Sequence, residues 1–150
     1  MGEIVLQLIT AFVGSLGFSL IFNVEKKHLL PASIGGIISW GIYLLCAQTL
    51  GMGLMVATVI SAACCEVYAE ILARVCKCPT TLFYIPAVVP LIPGGSLYNT
   101  MYAAVFRDWE GFRNYGFQTL QVTLAISIGI SFISGILYVI TNHARKKAQT

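Results

Sequence analysis

The chain has 150 residues, of which 57% are hydrophobic and only 10% are charged, and its formal net charge is +3 at pH 7. A soluble domain carries about 25% charged residues, so this composition excludes an ordinary soluble domain and indicates an integral membrane protein. The positive charge does not indicate a nucleic-acid partner, because the basic residues cluster at the ends of apolar segments, where the positive-inside rule accounts for them.

Five apolar segments are long enough to cross a bilayer, which takes about 20 apolar residues. We therefore expect an all-α integral membrane protein with a single membrane domain over residues 1–150 and spans at about 4–22, 29–48, 54–75, 82–105 and 119–140. Small residues allow helices to approach closely in a membrane. They form a face on each of the first two segments: Gly14, Ser15, Gly17 and Ser19, then Gly35, Gly36, Ser39 and Gly41.

The third segment carries Glu66, Glu70 and Arg74 at successive steps of four residues, which places them on one face of a helix. Glu66 lies near the middle of the span, and intramembrane acids by default mark proton or substrate pathways. We expect Glu66 to couple transport to protons, and Glu70 to form a structural ion pair with Arg74. The alternative is that all three residues only fix the packing of the helices.

The fourth segment contains Pro86, Pro90 and Pro93, followed by Gly94 and Gly95. Each proline removes a backbone donor and clashes with the carbonyl four residues earlier. Irregular backbone survives in a membrane only where protein or a water-filled cavity covers it. The pattern predicts a transmembrane helix that is broken at this motif, the element from which transporters build midplane sites. An ordinary proline kink that serves packing, or a re-entrant hairpin, is the alternative.

A broken helix would expose carbonyls before Pro93 and N–H groups at Ser96, Leu97 and Tyr98. Helix ends carry partial charges of about half a unit and of opposite sign. An amino acid zwitterion could place its ammonium at one end and its carboxylate at the other. The predicted substrate-binding residues are Pro90, Pro93, Gly94, Gly95, Ser96, Tyr98 and Asn99.

The fifth segment repeats a small or polar residue at every fourth position, which predicts a stripe for helix contact. The stripe consists of Thr123, Ser127, Ser131 and Gly135. The five cysteines do not have the spacing of a zinc site, so we expect no metal, disulfide or cofactor. We also expect no enzyme, because no Asp lies within a span, the motif His-Glu-x-x-His is absent, and both histidines flank membrane segments.

The basic residues predict the orientation of the chain in the plasma membrane. With five spans, seven basic residues share one side and two take the other, so the amino terminus is expected outside and the carboxy terminus in the cytoplasm. The seven are Lys26, Lys27, Arg74, Lys77, Arg145, Lys146 and Lys147, and the two are Arg107 and Arg113.

The stretch from Glu66 to about Ala104 resembles the threonine/serine exporter family. The resemblance lies in the helix Glu66-Val-Tyr68-Ala-Glu70-Ile-Leu-Ala73-Arg74, then Pro79, Pro86 and Pro90-Leu-Ile-Pro93-Gly94-Gly95. The chain is most similar to the shorter, YjjB-like component, which corresponds to the carboxy-terminal membrane half of the long exporters. This resemblance implies export of small amino acids, or of dicarboxylates in some branches, driven by the proton gradient.

The resemblance also implies a second membrane subunit, because the chain lacks the amino-terminal half of the long members with its soluble, hydrolase-like region. A homo-oligomer is the other possibility. The competing functional hypothesis is a structural or regulatory membrane subunit without its own transport activity, since small helix bundles often act only within larger assemblies.

Overall fold

The computed structural model describes residues 2–147, including the side chains of residues 2–140, and within that range it contains helices and no strand. The α-helices are α1 (Gly2–Ile21), α2 (Lys26–Leu44), α3 (Leu54–Cys76), α4 (Thr81–Val88), α5 (Gly94–Val105) and α6 (Trp109–Lys147). A π-helical turn, Leu45–Thr49, extends α2, and a 3-10 turn, Val89–Leu91, follows α4. The prediction of an all-helical fold is confirmed.

Helices α1, α3 and α5 are followed by a residue with a left-handed backbone conformation: Asn23, Lys77 and Arg107, with φ of 53°, 54° and 58°. The next N–H then bonds to the carbonyl five residues earlier, as Cys78 does to Ala73 at 3.0 Å after α3. This arrangement satisfies carbonyls that a helix end leaves without partners. Asp108 caps the start of α6, where its Oδ1 accepts the Gly111 N–H at 3.0 Å.

Small residues bring α2 close to its neighbours, as the sequence predicts. A Cβ built on Gly35 would lie 2.5 Å from the Ala87 Cβ of α4. Gly36 packs in the same way against Ser15 of α1, which is fully buried. Gly14 and Gly17 on α1 are different, because nothing lies within 4 Å of a Cβ built on either of them. Half of the small face predicted on α1 is therefore in contact, and half is open.

Two serines link the three central helices. The Ser61 hydroxyl of α3 donates to the Ser39 carbonyl of α2. The Ser39 hydroxyl donates in turn to the Ala87 carbonyl of α4 at 2.6 Å. All of these groups are buried, so the bonds are made where no water competes. Helices α2, α3 and α4 form the buried core of the bundle.

Helices α4 and α5 meet at the break, which we define as residues 89–93. The segment from Thr81 to Leu91 and the segment from Gly94 to Val105 are bent by 55° relative to each other. Four helices are long and apolar enough to span a membrane, and the bent pair is the candidate for a fifth span. Whether this pair crosses the membrane once or re-enters it stays a prediction.

Helix α6 has 39 residues and begins at Trp109, ten residues before the span predicted at 119–140. Its first turns pair with α5, and its middle packs on α3, where a Cβ on Gly129 would lie 2.7 Å from the Val59 carbonyl. Within this chain α6 buries Val122, Ala125 and Gly129, so the predicted contact stripe is not the face it uses. The four residues of that stripe are exposed: Thr123, Ser127, Ser131 and Gly135.

The orientation predicted for the chain depends partly on its carboxy-terminal tail. Three of the seven basic residues counted on the cytoplasmic side belong to that tail, and their side chains lie outside the described residues: Arg145, Lys146 and Lys147. The orientation therefore stays a prediction.

Candidate functional site

The backbone at the break starts a new helix earlier than the sequence predicts. Gly94 N–H bonds to the Ile92 carbonyl at 2.7 Å, and Leu97 N–H bonds to the Pro93 carbonyl at 2.9 Å. Gly94 and Gly95 are therefore the first residues of α5 rather than part of a loop. Among the described residues the structure records no partner for the N–H groups of Gly95 and Ser96. Of the three donors predicted, Ser96 therefore remains exposed, and Gly95 takes the place of Leu97 and Tyr98.

A cavity of ≈ 220 Å³ lies beside these donors, and we call it the break cavity. Five of the seven predicted substrate-binding residues line it: Pro90, Pro93, Gly94, Gly95 and Ser96. None of its lining residues is charged. Pockets for drug-sized ligands measure about 300–1,000 Å³, so this cavity has the size for a smaller solute.

The two remaining predicted residues do not line the break cavity. Tyr98 is 68% exposed and stacks on Tyr102, with ring centroids 6.3 Å apart. Asn99 is half-buried on α5. Both lie on the helix that begins at Gly94, and its direction carries them away from the break. Their proposed contact with substrate stays a prediction that this geometry does not support.

Several residues of the break cavity come from other helices, and the sequence analysis missed them. Trp40 and Tyr43 of α2 form one wall as a stacked pair with ring centroids 5.0 Å apart. Thr58 of α3 and Gln118 of α6 add polar groups. The available signal was the aromatic pair at positions i and i+3, which faces one side of a helix rich in small residues.

Glu66 is the thirteenth of the 23 residues of α3 and is only 7% exposed. The Ser134 hydroxyl of α6 donates to its Oε1 at 2.8 Å. Within the part of the chain whose side chains are described, Glu66 takes part in no ion pair. A carboxyl in this position has one hydrogen-bond donor and no counter-charge, so it is costly to keep ionised inside a membrane.

Glu70 lies one turn further along α3 in a very different environment. Arg74 approaches its Oε1 with Nη2 at 2.9 Å and Nε at 3.1 Å, and the Thr80 hydroxyl donates to its Oε2 at 2.7 Å. Both oxygens of Glu70 therefore have partners. The Arg74 side chain is 53% exposed, so water partly screens this pair.

His28, which flanks the second apolar segment, is buried within the bundle. It is 6% exposed, its Nε2 lies 3.4 Å from the Cys78 sulfur, and its ring packs edge-on against Phe83. Among the residues with described side chains, no group of three or more His, Cys, Asp or Glu residues could hold a metal ion.

Comparison with known protein families identifies the kind of protein that holds this site. The family model described as "Threonine/Serine exporter, ThrE" matches residues 7–136. The chain belongs to the threonine/serine exporter family. It is a membrane transport component of the threonine/serine exporter type, with a small-molecule substrate, in a family of transporters rather than enzymes. Its apolar helices contact lipid, and it is a multi-pass protein of the plasma membrane. No solved structure matches the chain.

Two helices of this exporter chain connect the break cavity with Glu66. On α3, Thr58 lines the cavity and Glu66 follows eight residues later, about 12 Å along the helix axis. On α6, Gln118 and Val122 line the cavity, and Ser134 reaches Glu66. The acid and the cavity are thus attached to the same pair of helices at different levels.

Proposed function

We propose that this chain is the membrane subunit of a proton-coupled exporter of threonine and serine that acts with a longer partner subunit. The observation that carries the proposal is the break cavity, which combines unpaired backbone donors of Gly95 and Ser96 with an uncharged lining in a chain of this family. The solute carboxylate would bind at the start of α5, where the helix dipole favours negative charge. The chain would form one membrane domain of five spans, with the amino terminus outside.

The uncharged lining favours an amino acid over a dicarboxylate as the solute. Threonine and serine carry no net charge at neutral pH, and a dicarboxylate carries two negative charges. Desolvating two carboxylates without a cationic partner is expensive, and no Lys, Arg or His lines the break cavity. The dicarboxylates transported in some branches of the family are therefore the weaker candidates for this chain.

Glu66 is the residue that we propose for proton coupling. Its burial, its single hydrogen bond from Ser134 and its position halfway along α3 support this role. Glu70 and Arg74 are proposed as a structural pair, because Arg74 and Thr80 occupy both oxygens of Glu70. A residue that couples transport to the proton gradient must gain and lose a proton during transport, and Glu66 is the buried acid that has no ion-pair partner among the described side chains.

The exchange of each acid for its amide tests these two roles. Glu66→Gln keeps the size and hydrogen-bonding capacity of the side chain but cannot change charge. We expect normal protein level, retained threonine exchange, and loss of export driven by a proton gradient in inverted membrane vesicles. Glu70→Gln should instead lower the protein level, because it weakens the bonds to Arg74 and Thr80. Normal gradient-driven export by Glu66→Gln, with loss of transport by Glu70→Gln at unchanged protein level, would reverse the assignment.

The exposed stripe on α6 is the surface that we propose for the partner subunit. Small residues allow close helix contact in a membrane, and within this chain Ser131 and Gly135 are exposed. Gly135→Leu adds bulk where a built Cβ meets nothing within 4 Å, so the chain itself should fold and insert normally. Co-purification of the partner should fall strongly for Ser131→Leu and Gly135→Leu. Normal recovery of the partner from both variants would show that the contact lies elsewhere.

A further inference from the structure

A second cavity lies on the other side of Trp40, and we infer that it is a second binding site for the transported solute. We call it the side cavity. It measures ≈ 220 Å³ and lies between α1, α2 and the 3-10 turn. The inference depends on the proposed function, because it concerns the route of the same small uncharged solute. Trp40 would act as the movable wall between the two sites.

The two cavities share two residues, Trp40 and Pro90. Pro90 lies in the 3-10 turn, and its ring fixes its own backbone angle, so it provides a rigid wall. Trp40 is a half-buried side chain that can change rotamer. A direct passage between the two cavities can therefore open by movement of Trp40.

A hydrogen bond from α1 holds Trp40 in its present position. Its indole Nε1 donates to the Gln7 Oε1 at 3.3 Å, which is long for such a bond. On its other side the ring stacks on Tyr43. The ring also packs against the buried cluster that includes Ala87 and Leu91. A change of the Trp40 rotamer must therefore break one long hydrogen bond, one stacking contact and part of this packing.

One polar group on α1, the Gln7 side-chain amide, gives the otherwise largely apolar side cavity a binding point for a polar solute. Thr10 also lines the cavity, and its hydroxyl donates to the Gln7 backbone carbonyl at 2.9 Å. The Gln7 Oε1 is used by Trp40, and among the described residues no partner is recorded for the Gln7 amide nitrogen. A buried or membrane-exposed amide donor without a partner is costly, and a polar solute would satisfy it. The side cavity and the break cavity share the wall formed by Trp40, so the same solute can reach both when Trp40 moves.

Two glycines on α1 offer a matched test. Gly14 lines the side cavity, and Gly17 does not. Nothing lies within 4 Å of a Cβ built on either glycine, so both positions accept a side chain without an initial clash. Gly14→Leu fills the side cavity, and Gly17→Leu adds the same side chain to the same helix outside it. Both variants are compared with the unaltered chain at equal protein level in inverted membrane vesicles.

Threonine export should fall by about tenfold or more with Gly14→Leu, because a filled cavity cannot hold a solute. Gly17→Leu should export within about twofold of the unaltered chain, as expected for a change outside functional contacts. Equal export by the two variants overturns the second site. This holds also if a lipid is found in the side cavity of the unaltered chain and is lost in Gly14→Leu. Absence of threonine export by the unaltered chain with its partner would instead overturn the proposed function, and the second site with it.

Binding stoichiometry provides a second readout that does not depend on transport. The purified complex of the unaltered chain should bind two labelled threonine molecules per chain, and so should Gly17→Leu. Gly14→Leu should bind one, because the break cavity remains open. A stoichiometry of one for the unaltered chain overturns the inference. It leaves the proposed function intact, since a single site at the break is sufficient for that function.

Discussion

The two helices on either side of the break come from one apolar segment but have opposite environments. Helix α4 is enclosed between α2 and α3, and it buries Phe83, Pro86, Ala87 and Val88. Helix α5 packs on α6, and only Ala103 is buried along its 12 residues. Burial therefore changes abruptly within the five residues of the break.

The difference shows that close contacts between helices, together with the greater hydrophobicity of α4, decide which half of this segment joins the core. Helix α4 is enclosed because Gly35 allows its backbone to come close, and because Ser39 binds its Ala87 carbonyl. Helix α5 begins at Gly94 and Gly95, and Cβ atoms built on these glycines would touch nothing within 4 Å. We expect α4 to be the fixed half and α5 to be the half that can move.

The strongest test removes the break itself. Replacing Pro90 and Pro93 together with Ala should restore helical hydrogen bonds, since a proline costs about 3 kcal/mol in a helix interior. The double variant should unfold at a higher temperature, and its threonine export should nevertheless fall at least about tenfold, because the donors of the break cavity are withdrawn into the helix. Unchanged export by a more stable double variant would show that the prolines serve packing only.

Two glycine variants, one facing the fixed half and one in the open half, should change the stability of the protein in opposite directions. Gly35→Ala should destabilise the protein by about 1–3 kcal/mol, because the new Cβ would overlap Ala87. Gly94→Ala should stabilise it by about 0.4–1 kcal/mol, because it restricts the unfolded chain and meets open space. Thermal unfolding of both variants in one detergent gives the comparison. If both variants shift the unfolding temperature in the same direction, the proposed difference between the fixed half and the open half is wrong.

A smaller effect separates a hydrogen bond between helices from one within a helix. Ser39→Ala should lower stability by about 1 kcal/mol, because the Ala87 carbonyl loses its donor inside the bundle. Thr100→Val removes a hydroxyl that bonds at 2.7 Å to the Ser96 carbonyl of its own helix, α5. This second change should leave the unfolding temperature nearly unchanged. A larger loss for Thr100→Val would mean that α5 is held more firmly than its burial indicates.

Much of the fold follows from the sequence, because local chemistry determines it. The apolar segments predict the helices, and the proline–glycine motif predicts where one of them bends. Helix α6 begins ten residues before the predicted span 119–140. That span was begun after Arg107, Asp108, Glu110 and Arg113, because charged residues suit the membrane–water interface, and its bounds stay a prediction. Within the chain α6 packs through Val122, Ala125 and Gly129, which follow steps of three and four, and the predicted stripe with its repeat of four stays a prediction for contact with another chain.

The candidate site was only half visible in the sequence. The proline–glycine motif contains Gly94, Gly95 and Ser96. Such a local motif can be recognised in the sequence without knowledge of the fold. Trp40 and Gln118 reach the same cavity from helices that are distant in sequence, so their role depends on how the bundle packs. Tyr98 was included because it is close in sequence, but the direction of α5 takes it away.

The continuity of α6 has a mechanical consequence. One unbroken helix contacts Glu66 through Ser134 and contributes Gln118 to the break cavity, 16 residues or about 24 Å apart along its axis. A helix resists changes in length. When one end of α6 slides or rotates, the other end therefore moves by nearly the same amount. No chain of side chains is then needed to carry a signal from the acid to the solute. We expect α6 to transmit such a movement as a rigid body that packs against α3.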